Sequence, residues 1–399
     1  MSTEFHVLST PEEIAAAATA IAGGSGPIAV DAERASGYRY SQRAYLIQIF
    51  RRGSGTFLID APLVEDFAPV RSALAGEEWV FHAASQDLAC LRELDLEPER
   101  IFDTELASRL LGKERVGLGA VVLETLGIEL AKAHSAADWS KRPLPQEWLE
   151  YAALDVELLI DVRDVLDREL HEAGKREIAE QEFAAVLTKA PKPLDPEPWR
   201  RLTGLHAIKD PRRLAIAREL WLARDALARE VDTSPGRLVP DSALVAVAQA
   251  MPTSRGALVA TAGFHGRASR SEIDRWWDAV ERGRHTDAVP AKRAPQSDAI
   301  PQPRNWAQKN PEADERLKLA KAAVAELALV MRLPTENLLT PEVLRRVCWN
   351  PPGFDASDVA DALRALGARE WQIDACAEPM SEAFVQAHQI VTDASEVLS

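Results

Sequence analysis

The chain has 399 residues, 46% apolar and 27% charged, with a formal net charge of −15 at neutral pH. That length fits two or three domains better than one core, and nothing apolar runs for the ~18 residues a transmembrane helix needs. Cys90, Cys348 and Cys376 lie far apart without CxxC or Cys/His spacing, which argues against a disulfide framework or a structural zinc and for a reducing, cytoplasmic setting.

In chain order, MSTEFHVLSTPEEIAAAATAIAGG has no basic leader and reads as a helix with Thr10 as N-cap and Pro11 in its first turn, not as a signal peptide. Short apolar runs at 26–33, 44–50, 55–62 and 78–83 read as strands, the first three spaced as a meander. Helical patterns follow at 84–94, 104–112, 118–127 and, as one long run, 145–174. Such an order predicts an α/β layer, a mixed sheet with flanking helices. Proline-rich stretches at 189–198 and 286–305 read as linkers. Beyond each of them only helical periodicity is found, at 210–230, 240–251 and 270–283, and then at 313–333, 340–349, 355–367 and 371–389. Both parts run long helix, short helix, helix, which suggests a weak internal duplication. The expected domains are 1–190, 199–288 and 306–399.

Five residues of the first part carry the chemistry. Asp31 and Glu33 end the strand GPIAVDAE and, two apart, project from one face. Asp87 follows VFHA near a helix start. Tyr151 and Asp155, four apart in EYAALDVELL, share a helix face, although aspartate is a poor helix-interior residue. Each alone is an ordinary solvated group. Four carboxylates converging in one cleft would repel unless cations neutralised them, and oxygen-only sites suit magnesium or manganese. Two such ions ~3.5–4 Å apart stabilise the attacking and leaving oxygens of an in-line displacement at phosphorus. Tyrosine is a poor base at neutral pH, so Tyr151 is expected to orient the attacking water.

The segments VDAE (30–33), FHAASQDLACL (81–91) and YAALDVELL (151–159) resemble the three exonuclease motifs of the tyrosine-containing DEDD superfamily, and of the ribonuclease D family in particular. ADWSKRPLPQEWLEYAALDVELL (137–159) and FDTELASRLLG (102–112) extend the likeness, which covers most of 25–175. The resemblance implies a ribonuclease H-like fold, removal of nucleotides from a 3′ end, and two divalent cations, Mg2+ or Mn2+, held by Asp31, Glu33, Asp87 and Asp155, with Tyr151 at the water. The 3′-to-5′ direction comes from the family alone. Family members often have Phe after the first-motif Glu, whereas Arg34 stands here. Tyr38, Arg39 and Tyr40 then either supply stacking and phosphate contacts or form an ordinary loop.

Residues 197–252 resemble the HRDC domain, a helical nucleic-acid-binding module, and the C-terminal part resembles a diverged second copy. The negative total does not exclude such a partner, because a local basic face steers phosphates whatever the sum; Arg212 and Arg213 are substrate candidates here. Lys132, His134 and Arg142, just before the third motif, are candidates in the first domain, whereas His82 is expected to close a strand. No GxxxxGK[ST] signature accompanies the HRDC-like part. The expected partner is an RNA 3′ end, of tRNA precursors or other structured RNA, with no membrane and no obligatory protein partner. The alternatives are a DNA exonuclease, since the same carboxylates cleave either backbone, and an inert nucleic-acid-binding scaffold. A two-carboxylate glycosidase leaves the four acids unexplained.

Overall fold

The structure, a computed structural model, describes residues 5–130, 137–190, 193–292 and 300–397. Among these, six strands form one sheet: β1 (Val7–Leu8), β2 (Ser25–Arg34), β3 (Ala44–Arg52), β4 (Gly55–Ile59), β5 (Glu78–Phe81) and β6 (Arg100–Asp103), in the order β1-β4-β3-β2-β5-β6. β2, β3 and β4 form the expected antiparallel meander. β5 and β6 continue the sheet parallel to β2 through helical crossovers, and β1 lies parallel to β4 at the other edge. Neither β1 nor β6 is apparent from the sequence, because each offers only two consecutive apolar residues, Val7–Leu8 and Ile101–Phe102, where β5 has three.

Helix α1 (Pro11–Ala22) opens with a reciprocal capping box: the Thr10 side chain accepts from Glu13 N–H, and the Glu13 carboxylate accepts from Thr10 N–H. Then come α2 (Ala68–Leu74), α3 (Leu88–Arg92), α4 (Thr104–Leu110), α5 (Leu118–Leu126), α6 (Gln146–Glu157), α7 (Leu159–Glu172) and α8 (Arg176–Thr188). The single helix expected over 145–174 is therefore two, separated at Leu158. Most of the core packs around α1, α5 and α7. A smaller cluster of Tyr45, Leu46, Leu58, Trp139, Leu149, Ala152 and Ala153 seats α6 on β3 and β4.

The second part holds α9 (Pro211–Glu230), α10 (Pro235–Leu238), α11 (Asp241–Ala250), α12 (Arg255–Val259), α13 (Arg267–Ser271) and α14 (Ile273–His285). The third holds α15 (Trp306–Lys309), α16 (Pro311–Val330), α17 (Thr335–Leu338), α18 (Pro341–Trp349), α19 (Ala356–Ala365) and α20 (Glu370–Val397). Each part has its own apolar core. The suggested duplication is visible in the helices: α9, α10 and α11 recur as α16, α17 and α18 with starting residues one hundred positions on. Even the left-handed residue after the long helix recurs, as Asp232 and Arg332.

That corner docks both parts on the first domain. Asp232 meets the segment after β2, described below. The Arg332 carbonyl accepts from Lys175 Nζ at 3.1 Å and crowds Gly112, where an added Cβ would lie 2.4 Å from its oxygen; a glycine is required there. Buried Glu182 on α8 also binds both Arg369 and the Trp371 indole N–H.

Candidate active site

Strand β2 ends in an irregularity between Glu33 and Arg34, and Asp31 and Glu33 project from the face over which α6 is laid. One oxygen each from Asp31, Glu33 and Asp155 lie within 4.8 Å of one another. Tyr151, one turn before Asp155, hydrogen-bonds its carboxyl. Asp87 arrives from the far side as N-cap of α3, and its carboxyl shares a hydrogen bond with Asp31. All five residues line one cleft of about 420 Å³.

Burial raises every one of these acids above the ordinary carboxylate range, and their mutual repulsion raises Glu33 and Asp87 further. Asp155 is pushed up to about 7 by burial and then by Asp31, against the Tyr151 hydrogen bond. Burial followed by Asp155 raises the Tyr151 phenol, so it remains protonated throughout the neutral range. Four carboxylates gathered in one cleft, oxygen donors only and each raised by burial, fit hard divalent cations.

Two further residues shape the site. Buried Asp103, at the end of β6, accepts from the N–H groups of Ala83, Ala84, Glu105 and Leu106, fixing the turn that delivers Asp87. Gln48 pairs with Asp31 in register; it is fully buried, and neither amide atom has a partner among the described residues. A lone amide in the apolar run LIQIF was the available signal. His82 lines the cleft but bonds Thr104 Oγ1 at 2.9 Å, with burial lowering it to about 4; it closes β5.

The substrate candidates fare differently. Lys132 and His134 lie outside the described residues. Arg142, expected at a phosphate, has a side chain 31% exposed and is engaged by the protein itself, bonding both oxygens of Asp60 at 2.5 and 2.8 Å as well as the carbonyls of Trp139 and Tyr45. Arg212 is likewise turned inward, donating to the Thr286 carbonyl; Arg213 is exposed. Much of the basic stretch is paired with acids rather than presented as a bare face: Arg200 with Glu197, Arg218 with Glu219, Arg224 with Asp241 and Arg229 with Asp225.

Tyr38 and Tyr40, weighed as stacking residues, belong to a segment clamped by the second part. Ser36, Gly37 and Tyr38 line the cleft. Arg237 Nε donates to the Gly37 carbonyl at 2.7 Å, with its guanidinium 3.9 Å from the Tyr38 ring centre. Ser234 N–H donates to the Tyr38 carbonyl, Tyr40 Oη to Asp225, and Ser41 N–H to Asp232. The helical part therefore braces one wall of the site. Replacing exposed Arg237 by Ala is expected to speed amide exchange across 35–41 and to lower kcat on the order of tenfold, because small misplacements near reacting groups are costly. Unchanged exchange and unchanged kcat would contradict this bracing.

Residues 5–171 match a family model described as 3′-5′ exonuclease, 213–280 one described as HRDC domain, and 299–384 one described as 3′ to 5′ exonuclease C-terminal domain. The chain is similar to ribonuclease D of Pseudomonas paraeruginosa, 29% identical over 344 residues, 84% of this chain and 88% of the relative. Three further ribonucleases D align over 46%, 51% and 63% of their own length. A solved structure of a protein from Bifidobacterium adolescentis is 36% identical with a TM-score of 0.86, covering 95% of this chain and 97% of the other. Escherichia coli RNase D, described as an exoribonuclease involved in structured RNA processing, shares the fold at 23% identity, with a TM-score of 0.69 over 96% and 99% of the two chains.

Proposed function

Because this chain belongs to the ribonuclease D family and is a 3′-5′ exonuclease, we propose that it hydrolyses RNA from the 3′ end, with structured RNA such as tRNA precursors as substrate. The observation that carries this reading is the convergence of Asp31, Glu33, Asp87, Tyr151 and Asp155 on one cleft.

Asp31, Glu33 and Asp155 would hold one divalent cation, and Asp31 with Asp87 a second. Two such ions supply Lewis-acid charge that makes water a nucleophile at neutral pH and stabilises the leaving oxygen. The protein's own part is positional. Tyr151 keeps its proton, which is directed at Asp155; the phenol oxygen then has lone pairs to accept a hydrogen bond from the attacking water and aim it at phosphorus. Asp155 and Glu33 fix the near side of that water, while the Ser36–Tyr38 wall, clamped by the HRDC domain, holds the terminal nucleotide.

Tyr151→Phe is expected to lower kcat roughly 10–100-fold, the usual scale for an orienting partner, with Mn2+ affinity unchanged in calorimetry. An unaltered kcat would remove the phenol from the mechanism. The substrate class is tested with matched RNA and DNA bearing the same hairpin and single-stranded 3′ tail. Preferential shortening of RNA supports the reading; shortening of DNA alone would keep the chemistry and transfer it to the other backbone.

A further inference from the structure

Arg34 is the last residue of β2 and the one cation among the described residues lining the acidic cleft apart from the neutral His82. A guanidinium nitrogen lies 3.7 Å from Asp87 Oδ1, an ion pair but not a hydrogen bond, with the Arg34 side chain 27% exposed. Its Nε is buried with no hydrogen-bond partner among the described residues. Among the described residues Arg34 is within ion-pair distance of Asp87 and of no other acid of the cleft. The cleft is thus asymmetric: the Asp31–Glu33–Asp155 cluster contains no ion pair to Arg34, while Asp87 already has one.

We propose that Arg34 is a built-in counter-ion for Asp87, which a second divalent cation must displace, and which then pairs with the substrate phosphate. This rests on the metal-site reading above. Arginine cannot relieve the conflict by losing a proton, so an ion arriving at Asp87 is repelled until the side chain turns away. The loose pairing and the unpartnered Nε leave it ready to do so. A phosphate offers two oxygens that the planar guanidinium can bond in parallel. Arg34 therefore links the second cation to the nucleotide, each raising the affinity of the other by the same factor.

The test is calorimetric titration of Mn2+ into the full-length protein, with and without uridine 5′-monophosphate. Wild type is expected to bind one ion tightly and a second weakly, the second tightening when the nucleotide is present. Arg34→Gln should bind the second ion about tenfold more tightly without nucleotide and lose the tightening; Arg34→Met serves the same purpose should the glutamine variant not fold. Arg34→Lys, which keeps the charge without the two-pronged geometry, should hold the second ion as weakly as wild type without nucleotide and keep part of the tightening. Equal second-ion affinity in wild type and Arg34→Gln, or a lysine variant that follows glutamine, would overturn the proposal. Absence of any Mn2+ binding in wild type would defeat the metal-site reading itself, a separate result.

Discussion

Asp155→Ala is expected to lower single-turnover hydrolysis by ~10³-fold or more, the scale on which loss of a group that stabilises transition-state charge is felt, while RNA affinity changes by no more than a few-fold. The residue sits on α6 with its carboxyl facing Asp31 and Glu33, and the surfaces expected to hold RNA do not include it. Stability separates this outcome from a folding defect. An acid raised from 3.8 to about 7 by the fold binds its proton more tightly when folded. Its contribution to stability is thus fully present below about pH 4 and is lost as pH rises through about 7. At pH 8, without divalent ions, the ionised carboxylate opposes folding, and Ala is also the better helix residue. The alanine variant should therefore melt at or above the wild-type temperature there. A lower melting temperature together with lost RNA binding would make Asp155 structural.

Arg142→Ala carries the largest expected effect on stability, about 3–5 kcal/mol, because it leaves a buried carboxylate without its cation. Asp60, with a side chain 5% exposed, takes two bonds from this guanidinium. Nη1 donates to the Trp139 carbonyl, and Nη2, which also bonds Asp60, donates to the Tyr45 carbonyl, holding the 137–145 segment against β3. Fully buried Trp139, which packs on Trp148, depends on that segment. Arg142→Lys restores charge without the two-pronged geometry and should recover only part of the loss. Urea unfolding measures both variants. A change below ~1 kcal/mol with weakened RNA binding would return Arg142 to the substrate surface.

The residues that could be read from sequence are those whose placement follows from local periodicity. Asp31 and Glu33 share a face because they are two apart on a strand, and Tyr151 and Asp155 because they are four apart on a helix. The mixed sheet and the two helical domains were legible in the same way. What escaped depends on partners distant in the chain. Nothing in ASGYRYSQR announces that Tyr38 and Tyr40 are gripped by Arg237 and Asp225, nearly two hundred residues later. Nothing in SKRPLP shows that Arg142 reaches Asp60. An apolar period unbroken through ALDVELLIDV hides the division at Leu158. Strand β6, which supplies Asp103 to organise the turn before Asp87, has only Ile101 and Phe102 as an apolar run, too little to mark a strand.

Cation-dependent shortening of RNA from its 3′ end is decided by a time course on 5′-end-labelled RNA with a single-stranded 3′ tail, run with Mg2+, with Mn2+ and with EDTA. The expected result is a ladder that descends one nucleotide at a time from the 3′ end with either ion and is abolished by EDTA. A full-length band that persists under both ions, or release of the labelled 5′ nucleotide as the first product, would contradict it.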